Sequence, residues 1–245
     1  METPVIELRD ISLTAQNKNI IGNAQVSIMQ GQTVAFVGPS GSGKSTLLKL
    51  AGGLIVPTSG EIYYLGNPIS TMNRSQNLEF RLRSSFVFQD SALWANQSLR
   101  QILELPLKIH FPQMTEKQRT ARIVEVCVEA GYKRELDIRP SQLSTGEQKL
   151  IAFARAMVCD PEVLFLDEWT ESLDESASRR LVKIVKKRQK EGNTIVFVSH
   201  NFSVIEELSQ RICMIIDGRL SMEISTKDIT QNKALAQMVE KGISL

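Results

Sequence analysis

The fold is decided by one stretch of sequence, Gly38-Pro39-Ser40-Gly41-Ser42-Gly43-Lys44-Ser45-Thr46. It fits the pattern G-x-x-x-x-G-K-[S/T], a glycine-rich loop that cradles nucleotide phosphates. The apolar run Thr33–Gly38 leads into it and is typical of a buried strand, whereas Thr46–Gly52 has the apolar spacing of a helix. The stretch therefore has the order of strand, loop and helix that phosphate binding requires.

Each residue type in this loop has a physical reason to be there. Glycines let successive backbone N–H groups turn towards a phosphate, and the helix start adds partial positive charge. Lys44 adds a full charge near the β- and γ-phosphates, and the Ser45 hydroxyl is placed to bind Mg²⁺. The alternative, a plain glycine turn between strand and helix, is disfavoured because the motif and its flanks are both complete.

Composition limits the classes of protein to which the chain can belong. Its 245 residues suffice for one large α/β domain or a core with an inserted subdomain. The net charge of +2 requires no nucleic-acid partner. Three widely spaced cysteines, with no C-x-x-C, indicate free thiols in a reducing compartment. Apolar runs are too short to span a bilayer and no secretory signal is visible, so we expect a cytosolic chain.

Periodicity predicts a mainly parallel sheet that is interrupted by a helical block. Short apolar runs between turn residues predict strands at Val5–Leu8, Val26–Met29, Thr33–Gly38, Glu61–Tyr64, Ser85–Gln89, Val163–Leu166, Thr194–Val198 and Ile212–Ile216. From about residue 93 to residue 158 the pattern is mostly helical, and further helices are predicted at Ala177–Gln189 and Lys227–Val239. Strands that alternate with helices indicate a parallel sheet, into which the central helical block is inserted.

A second phosphate-site element follows the helical block. The apolar run Val163–Leu166 ends in two carboxylates, Asp167 and Glu168, which is the Walker B form. Asp167 would hold magnesium, and Glu168 at the strand's end could polarise a water for attack on the γ-phosphate. Acidic residues after apolar strands are common, so the carboxylates could be merely solvated. The upstream phosphate loop favours the functional interpretation.

The ordered set of motifs resembles one family. Leu143-Ser144-Thr145-Gly146-Glu147 precedes a helix and Walker B follows it, with Gln89 upstream and His200 downstream. This set resembles the nucleotide-binding subunits of ABC transporters, whose signature loop reads LSGGQ, and it covers nearly the whole chain. The resemblance implies an α/β P-loop NTPase (RecA-like) with a mainly parallel sheet core, an N-terminal antiparallel β-subdomain and an inserted α-helical subdomain. It places the core at residues 1–90 and 157–245 and the helical subdomain at 91–156.

The resemblance also assigns roles to single residues. Ser144, Gly146 and Glu147 would contact the γ-phosphate of a nucleotide bound to a second subunit, although Ser144 and Glu147 also form an ordinary capping box. Gln89 would be the Q-loop residue that touches Mg²⁺ or water. His200 would contact the γ-phosphate and orient the water, and Asp174 in the D-loop would couple the two sites.

Beside Thr145 and Glu147, which replace a glycine and a glutamine in the signature loop, two further positions depart from the family pattern. The aromatic residue that commonly stacks on adenine is replaced by Ala15, and no aromatic residue lies nearby up to Gln25. We therefore expect ATP to be held chiefly by its phosphates and GTP to be discriminated poorly. Trp169 stands where proline usually follows the catalytic glutamate. It could pack under the D-loop or touch a partner, and the sequence leaves both open.

The resemblance implies a homodimer that closes around two ATP molecules with Mg²⁺ and drives a transporter. Integral membrane permease subunits would dock near residues 89–107, which places the ATPase on the cytoplasmic face of the inner membrane, and no nucleic acid is involved. Gln-x-x-Ala-Leu-aromatic followed by Leu-Pro-Leu resembles the ATPases of Mla-type (MCE-associated) phospholipid transporters, although these residues could simply form a subdomain core. The alternative function is an ABC-type ATPase of a soluble assembly, such as iron–sulfur cluster building. The transported substrate and its direction stay open.

Overall fold

The strands of the protein form two sheets of different character. The computed structural model describes residues 3–232, 236–237 and 239–240. An antiparallel sheet contains, in spatial order, β2 (Lys18–Ile28), β1 (Ile6–Ala15), β4 (Ser59–Tyr64) and β5 (Asn67–Pro68). The second sheet has the order β10 (Arg219–Ser225), β9 (Arg211–Ile216), β3 (Thr33–Val37), β8 (Thr194–Val198), β7 (Val163–Asp167) and β6 (Ser84–Val87). Its strands are parallel except for β10, which pairs antiparallel with β9.

The parallel strands are apolar throughout because both faces of their sheet are covered. Every residue of β3, β7 and β8 is buried. Ala35 and Val37 face a cluster built with the helices, whereas Val34 and Phe36 face a cluster shared with the antiparallel sheet. A strand that is buried on both sides reads as a continuous apolar run rather than an alternating one. This is why these strands could be found in the sequence.

Helices cover the sheet and extend beyond it. Their bounds are α1 (Lys44–Ala51), α2 (Arg74–Arg83), α3 (Leu99–His110), α4 (Glu116–Ala130), α5 (Thr145–Met157), α6 (Glu175–Lys190), α7 (Phe202–Leu208) and α8 (Thr226–Gln231). Helices α3, α4 and α5 pack against one another. Reciprocal capping boxes begin α2, α3, α4 and α5, so that each helix start is satisfied by its own side chains. None of the helices in the described part of the chain is long and apolar enough to span a bilayer.

The predicted fold class is confirmed, with corrections to single elements. The first hairpin is longer than predicted, because β1 and β2 extend to a tight turn at Gln16 and Asn17, both at positive φ. The strand expected at Ser85–Gln89 ends at Val87. Strand β10 was not predicted, although its exposed and covered positions alternate as an edge strand requires. The predicted helix Lys227–Val239 begins as α8, and its residues 233–235 and 238 lie outside the described residues.

Candidate functional site

The carboxyl ends of β3, β7 and β8 bring the sequence motifs to one edge of the sheet. Phe36 pairs with Val198, and Val198 pairs with Asp167, so the three strands end at the same level. The loop that follows each strand therefore emerges beside the other two. Open α/β sheets place ligands at this edge.

The glycine loop adopts a conformation that only glycines allow. Gly38, Gly41 and Gly43 have φ of 147°, 76° and 98°. A Cβ on Gly38 would lie 2.0 Å from the carbonyl oxygen of Ile215, so no other residue fits there. Gly43 occupies the cap position of α1, and within the described part of the chain no side chain caps this helix. The first N–H groups of α1 are therefore left for a ligand, as phosphate binding requires.

Lys44 is held over the loop by backbone oxygens. Its Nζ donates to the carbonyl oxygens of Gly38 at 2.9 Å and Pro39 at 2.7 Å. Burial lowers the pKa of Lys44, and the nearby carboxylates of Glu168 and Asp167 oppose that effect. The side chain is thus fixed in position, and a phosphate could replace its carbonyl partners.

Ser45 and Asp167 form the oxygen-rich part of the site. Ser45 Oγ donates to Asp167 Oδ1 at 2.7 Å, and Asp167 is only 1% exposed. Burial raises the pKa of Asp167, while the hydrogen bond from Ser45 and nearby lysines lower it. A hydroxyl and a buried carboxylate are hard oxygen ligands of the kind that Mg²⁺ prefers, and a divalent cation would favour the charged carboxylate. The residues present therefore fit magnesium.

Glu168 and His200 approach each other above this pair. The backbone N–H of His200 donates to Glu168 Oε2 at 3.3 Å. His200 Nε2 lies 3.3 Å from Glu168 Oε1, but Oε1 has no properly aligned hydrogen-bond partner among the described residues. Burial raises the pKa of Glu168, and His200 opposes the rise. A buried carboxylate with a free oxygen and a raised pKa is suited to accept a proton.

A cavity of about 250 Å³ joins these residues. It is lined by Ile20, Ser40, Gly41, Gly43, Lys44, Ser45, Thr46, Gln89, Glu168, Val198 and His200. The predicted residues Gly38, Pro39, Ser42 and Asp167 adjoin it through the loop and the Ser45 contact rather than lining it. Gln89 reaches the cavity, and its Nε2 donates to Glu171 Oε2 at 3.2 Å.

The signature tip, defined as Leu143–Glu147, does not line this cavity. Ser144 Oγ donates to Glu147 Oε2 at 3.0 Å and accepts from the Glu147 N–H at 3.2 Å. A Cβ on Gly146 would lie 3.3 Å from the Ser172 carbonyl oxygen, so the tip packs against the D-loop of its own chain. Asp174 likewise lies outside the cavity and caps α6 by accepting from Ala177 N–H at 2.8 Å.

Three residues beside the site were missed or left undecided at the sequence level. Trp169 is fully buried and packs edge-on to Phe197 at 5.4 Å, so it belongs to the core of its own chain rather than to a partner contact. Lys149 is buried beneath the site, and Glu171 contacts Gln89. No sequence signal marked Lys149, and Glu171 was included in the D-loop match without a role, because a lysine on a helix and a glutamate in a loop are usually solvated.

The fold and this site define a P-loop nucleoside triphosphatase, and comparisons place it in a family. A family model described as ABC transporter matches residues 21–171. The nickel import ATP-binding protein NikE of Brucella suis biovar 1 (strain 1330) is 35% identical over 216 residues, covering 86% of this chain and 81% of NikE. NikE of Escherichia coli (strain K12) is 33% identical over 209 residues, covering 84% and 78%. The chain therefore belongs to the ABC transporter family as an ATP-binding subunit.

A solved structure agrees with that assignment. The dimeric post-hydrolysis structure of the ATP-binding cassette MJ0796 with ADP and Pi superposes with a TM-score of 0.84 at 28% identity. It covers 90% of this chain and 98% of that one. As a member of this family, the protein binds ATP with Mg²⁺ and hydrolyses ATP to drive transport. The expected Mla-type subgroup gains no support, since the names of the relatives refer to nickel import.

Proposed function

We propose that the protein works as a homodimer in which each ATP is held between the cavity of one copy and the signature tip of the other. The observation that carries this proposal is the separation of the motif residues into two groups. Lys44, Ser45, Glu168 and His200 meet in one cavity, whereas Ser144 and Gly146 start a helix elsewhere on the chain. A helix start is a suitable anion site, so the second group gains a use only when another copy supplies the phosphate.

The residues around the cavity take separate roles in this proposal. Lys44 and the loop N–H groups, from Gly38 to Thr46, bind the phosphates. Ser45 and Asp167 hold Mg²⁺, and Gln89 contributes its amide oxygen to the metal or to a water. The Ser45–Asp167 hydrogen bond and the position of Gln89 at the cavity wall support this assignment.

Glu168 acts as the general base towards water in the proposed reaction. Glu168 Oε1 has no hydrogen-bond partner among the described residues and would accept the water's proton, and burial raises the pKa of Glu168 towards the useful range. His200, held 3.3 Å away, orients the water and contacts the γ-phosphate. Asp174 fixes the start of α6 and couples the two sites through the D-loop.

The permease docks in an apolar groove beside Gln89. The groove has a volume of about 450 Å³ and includes three large apolar side chains, Trp94, Leu105 and Ile109, which are 47%, 39% and 52% exposed. Residues of the expected docking region, 89–107, line part of this groove. The last residues of α3 and residues of β6 line it as well. An exposed apolar groove of this kind fits an amphipathic helix of a partner. Through this partner the ATPase would sit on the cytoplasmic face of the inner membrane.

The division of the chain follows from the same proposal. Residues 1–90 and 157–245 form the nucleotide-binding core, and residues 91–156 form a helical arm that carries the signature tip. The mutual packing of α3, α4 and α5 supports an arm that moves as one body. ATP binding would close the arm of one copy onto the core of the other.

The substrate is carried by partner chains. The curated relatives are nickel import proteins, which makes nickel import the better-supported cargo assignment over phospholipid. The soluble-assembly alternative is not favoured by relatives that serve import systems. Isolation of the protein from its native membrane should therefore recover integral permease subunits. ATPase activity of that complex should rise with the nickel-loaded partner and not with phospholipid.

The variant Glu168→Gln tests the base role and the dimer together. It should bind ATP and form a stable dimer while hydrolysis falls by about 10²–10⁴-fold, because the amide cannot accept the water's proton. Glu175→Gln is the matched control, since Glu175 is exposed on α6 and pairs only with Arg179 among the described residues. Wild-type phosphate release by Glu168→Gln would remove Glu168 from the base role. If Glu168→Gln stayed monomeric when saturated with ATP, the proposed dimer would be wrong.

A further inference from the structure

Lys149 links three motifs from beneath the site. It lies on α5, whose first turn is the signature tip, and it is only 3% exposed. Its Nζ donates to the carbonyl oxygen of Gln89 and to the carbonyl oxygen of Glu168, the latter at 3.3 Å. One ammonium group therefore joins the signature helix to the backbone of the Q-loop and to that of the proposed base.

The backbone of Glu168 needs such a contact. Glu168 has φ of 45°, in the left-handed region that a residue with a side chain adopts only at a cost. This conformation turns the carboxylate towards the cavity and His200. The Glu168 carbonyl accepts both from Lys149 and from the Glu171 N–H at 3.2 Å. These bonds stabilise the strained backbone and so fix the direction of the side chain.

Burying a lysine at this position costs free energy unless its ammonium group is paired and hydrogen-bonded. Burial lowers the pKa of Lys149, while Glu171, Asp167, Glu168 and Asp90 oppose that effect. Removing an ammonium group from water costs several kcal/mol unless it is paired and hydrogen-bonded. The surrounding carboxylates and the two carbonyl bonds supply that compensation. An apolar residue would have filled the same space at lower cost, as its buried neighbours Leu150 and Ile151 do.

A second cation on α5 strengthens the same connection. Arg155 donates through Nη1 to the Ala92 carbonyl at 2.6 Å and through Nη2 to the Ser91 carbonyl at 3.2 Å. Helix α5 thereby holds the segment that follows Gln89 at two points. This segment forms part of the groove beside Gln89. Hydrogen bonds from α5 thus connect the groove to the backbone of Glu168.

We propose that Lys149 is a positioning residue for hydrolysis, which holds the backbone of Glu168 in its reactive conformation and ties it to the Q-loop and the signature helix. The proposal rests on the proposed base role of Glu168. Lys149 does not line the cavity in which the nucleotide would bind. Its effect is on the orientation of Glu168, so it should alter turnover rather than ATP binding.

The variant Lys149→Met keeps the length of the side chain and removes its donors. We expect kcat to fall about ten- to hundredfold, since a small misplacement of a catalytic group has an effect of that size. KM for ATP should stay within about twofold, because the lost interaction acts on the transition state. Lys149→Arg, which keeps the charge and the donors, should recover most of kcat.

Arg122→Met is the matched control for lost stability. Arg122 is also a partly buried cation that donates to two carbonyl oxygens, those of Val158 and Met157, each at 3.0 Å. It lies near the far end of α5, away from the cavity. Its substitution should lower the melting temperature comparably and leave kcat of the folded protein unchanged. Should Lys149→Met not fold, Lys149→Gln supports the same measurements.

The double variant Lys149→Met/Glu168→Gln separates the inference from the proposed function. Because Lys149 acts through Glu168, the double variant should hydrolyse ATP no more slowly than Glu168→Gln alone. If Glu168→Gln is inactive while Lys149→Met turns over within twofold of wild type, only the inference about Lys149 is overturned. If Glu168→Gln itself is fully active, the proposed function fails first.

Discussion

The glycine loop Gly38–Thr46, called the cradle below, and the signature tip both lead into helix starts with a glycine beside them, yet the N–H groups there are satisfied in different ways. At α1 the cap residue is Gly43, and no side chain of the described residues makes a capping hydrogen bond to the first N–H groups. At α5 the side chains of Ser144 and Glu147 each bond the other's N–H, and Arg134 pairs with Glu147 at 2.8 Å. The start of α1 has no side-chain cap, whereas the box at α5 occupies the N–H groups of Ser144 and Glu147 and not those of Thr145 and Gly146.

This difference shows that a helix start alone does not make a phosphate site. The partial charge of the helix is similar in both places, but an anion gains from it only where N–H groups are unpaired. At the signature tip an incoming phosphate must compete with Glu147 for the Ser144 hydroxyl. The cradle is therefore expected to bind nucleotide in a single copy, and the tip only within a closed dimer.

The largest expected effect comes from separating the two regions onto different copies. Lys44→Ala removes the cradle charge, and Gly146→Asp places a carboxylate at the tip, where an added Cβ would lie 3.3 Å from the Ser172 carbonyl oxygen. Each variant alone should lose activity about a hundredfold or more. A one-to-one mixture should regain roughly a quarter of wild-type phosphate release, because half of the dimers contain one intact site.

A mixture that stayed inactive, with a wild-type protein that hydrolysed ATP as a monomer, would show that the two regions do not act across two copies. Size-exclusion chromatography with ATP and the variant Glu168→Gln measures the dimer independently. As a control, mixing either variant with itself should restore nothing.

The stability of the core next to Glu168 is expected to depend on Trp169. Trp169→Ala leaves a void beside Phe197 and should lower the free energy of unfolding by about 3–5 kcal/mol. Trp169→Phe should cost much less, since the indole N–H has no partner among the described residues and its loss removes an unsatisfied polar group. Denaturant unfolding measures both variants. Equal stability of Trp169→Ala and the wild type would contradict core packing.

Recognition of the nucleotide base is expected to be weak beside the cradle. Ala15 ends β1 and is exposed, so it offers no ring for stacking. We expect ATP and GTP to bind with similar affinity, and Ala15→Tyr to tighten both by about five- to hundredfold, as stacking on a base is worth about 1–3 kcal/mol. Competition binding with labelled ATP measures this, and Ala15→Leu controls for added apolar area. A hundredfold preference of the wild type for ATP would refute the expectation.

The smallest expected effect concerns the charge at the tip. Glu147→Gln keeps the cap but removes a carboxylate that would face the partner's phosphate, and two like charges about 4 Å apart in water repel by about 1 kcal/mol. KM for ATP should fall about twofold to fivefold. Arg134→Gln should raise it, because the carboxylate then loses its compensating charge.

The effect of Glu147 should persist at mildly acidic pH. The hydrogen bond from Arg134, with those from Ser144, lowers the pKa of Glu147 below its usual value, so the carboxylate stays ionised. The KM ratio of wild type to Glu147→Gln should therefore be constant between neutral pH and about pH 5.5. High salt should reduce the ratio, since the charges are exposed. A KM ratio that fell to one at pH 5.5 would show that Glu147 is protonated there.

Much of the fold and of the cavity could be predicted because the signals are local. The strands β3, β7 and β8 are continuous apolar runs because both of their faces are buried. The glycine loop is recognisable because its backbone conformation requires glycines at fixed positions. The edge strand β10 and the far parts of β1 and β2 were missed, because their pairing with partners outweighs a weak local preference.

Local sequence patterns were enough to predict the glycine loop, the strand that ends in Asp167 and Glu168, and the capped helix start at Ser144. Each depends on contacts between residues that lie close together in the chain, so the spacing of residue types in the sequence indicates it. Only the tertiary structure decided that Lys149 lies under Glu168, that Trp169 is core, and that Gln89 meets Glu171. Those contacts join residues that are distant in sequence or depend on burial, and burial is a property of the packed chain rather than of any single stretch of it.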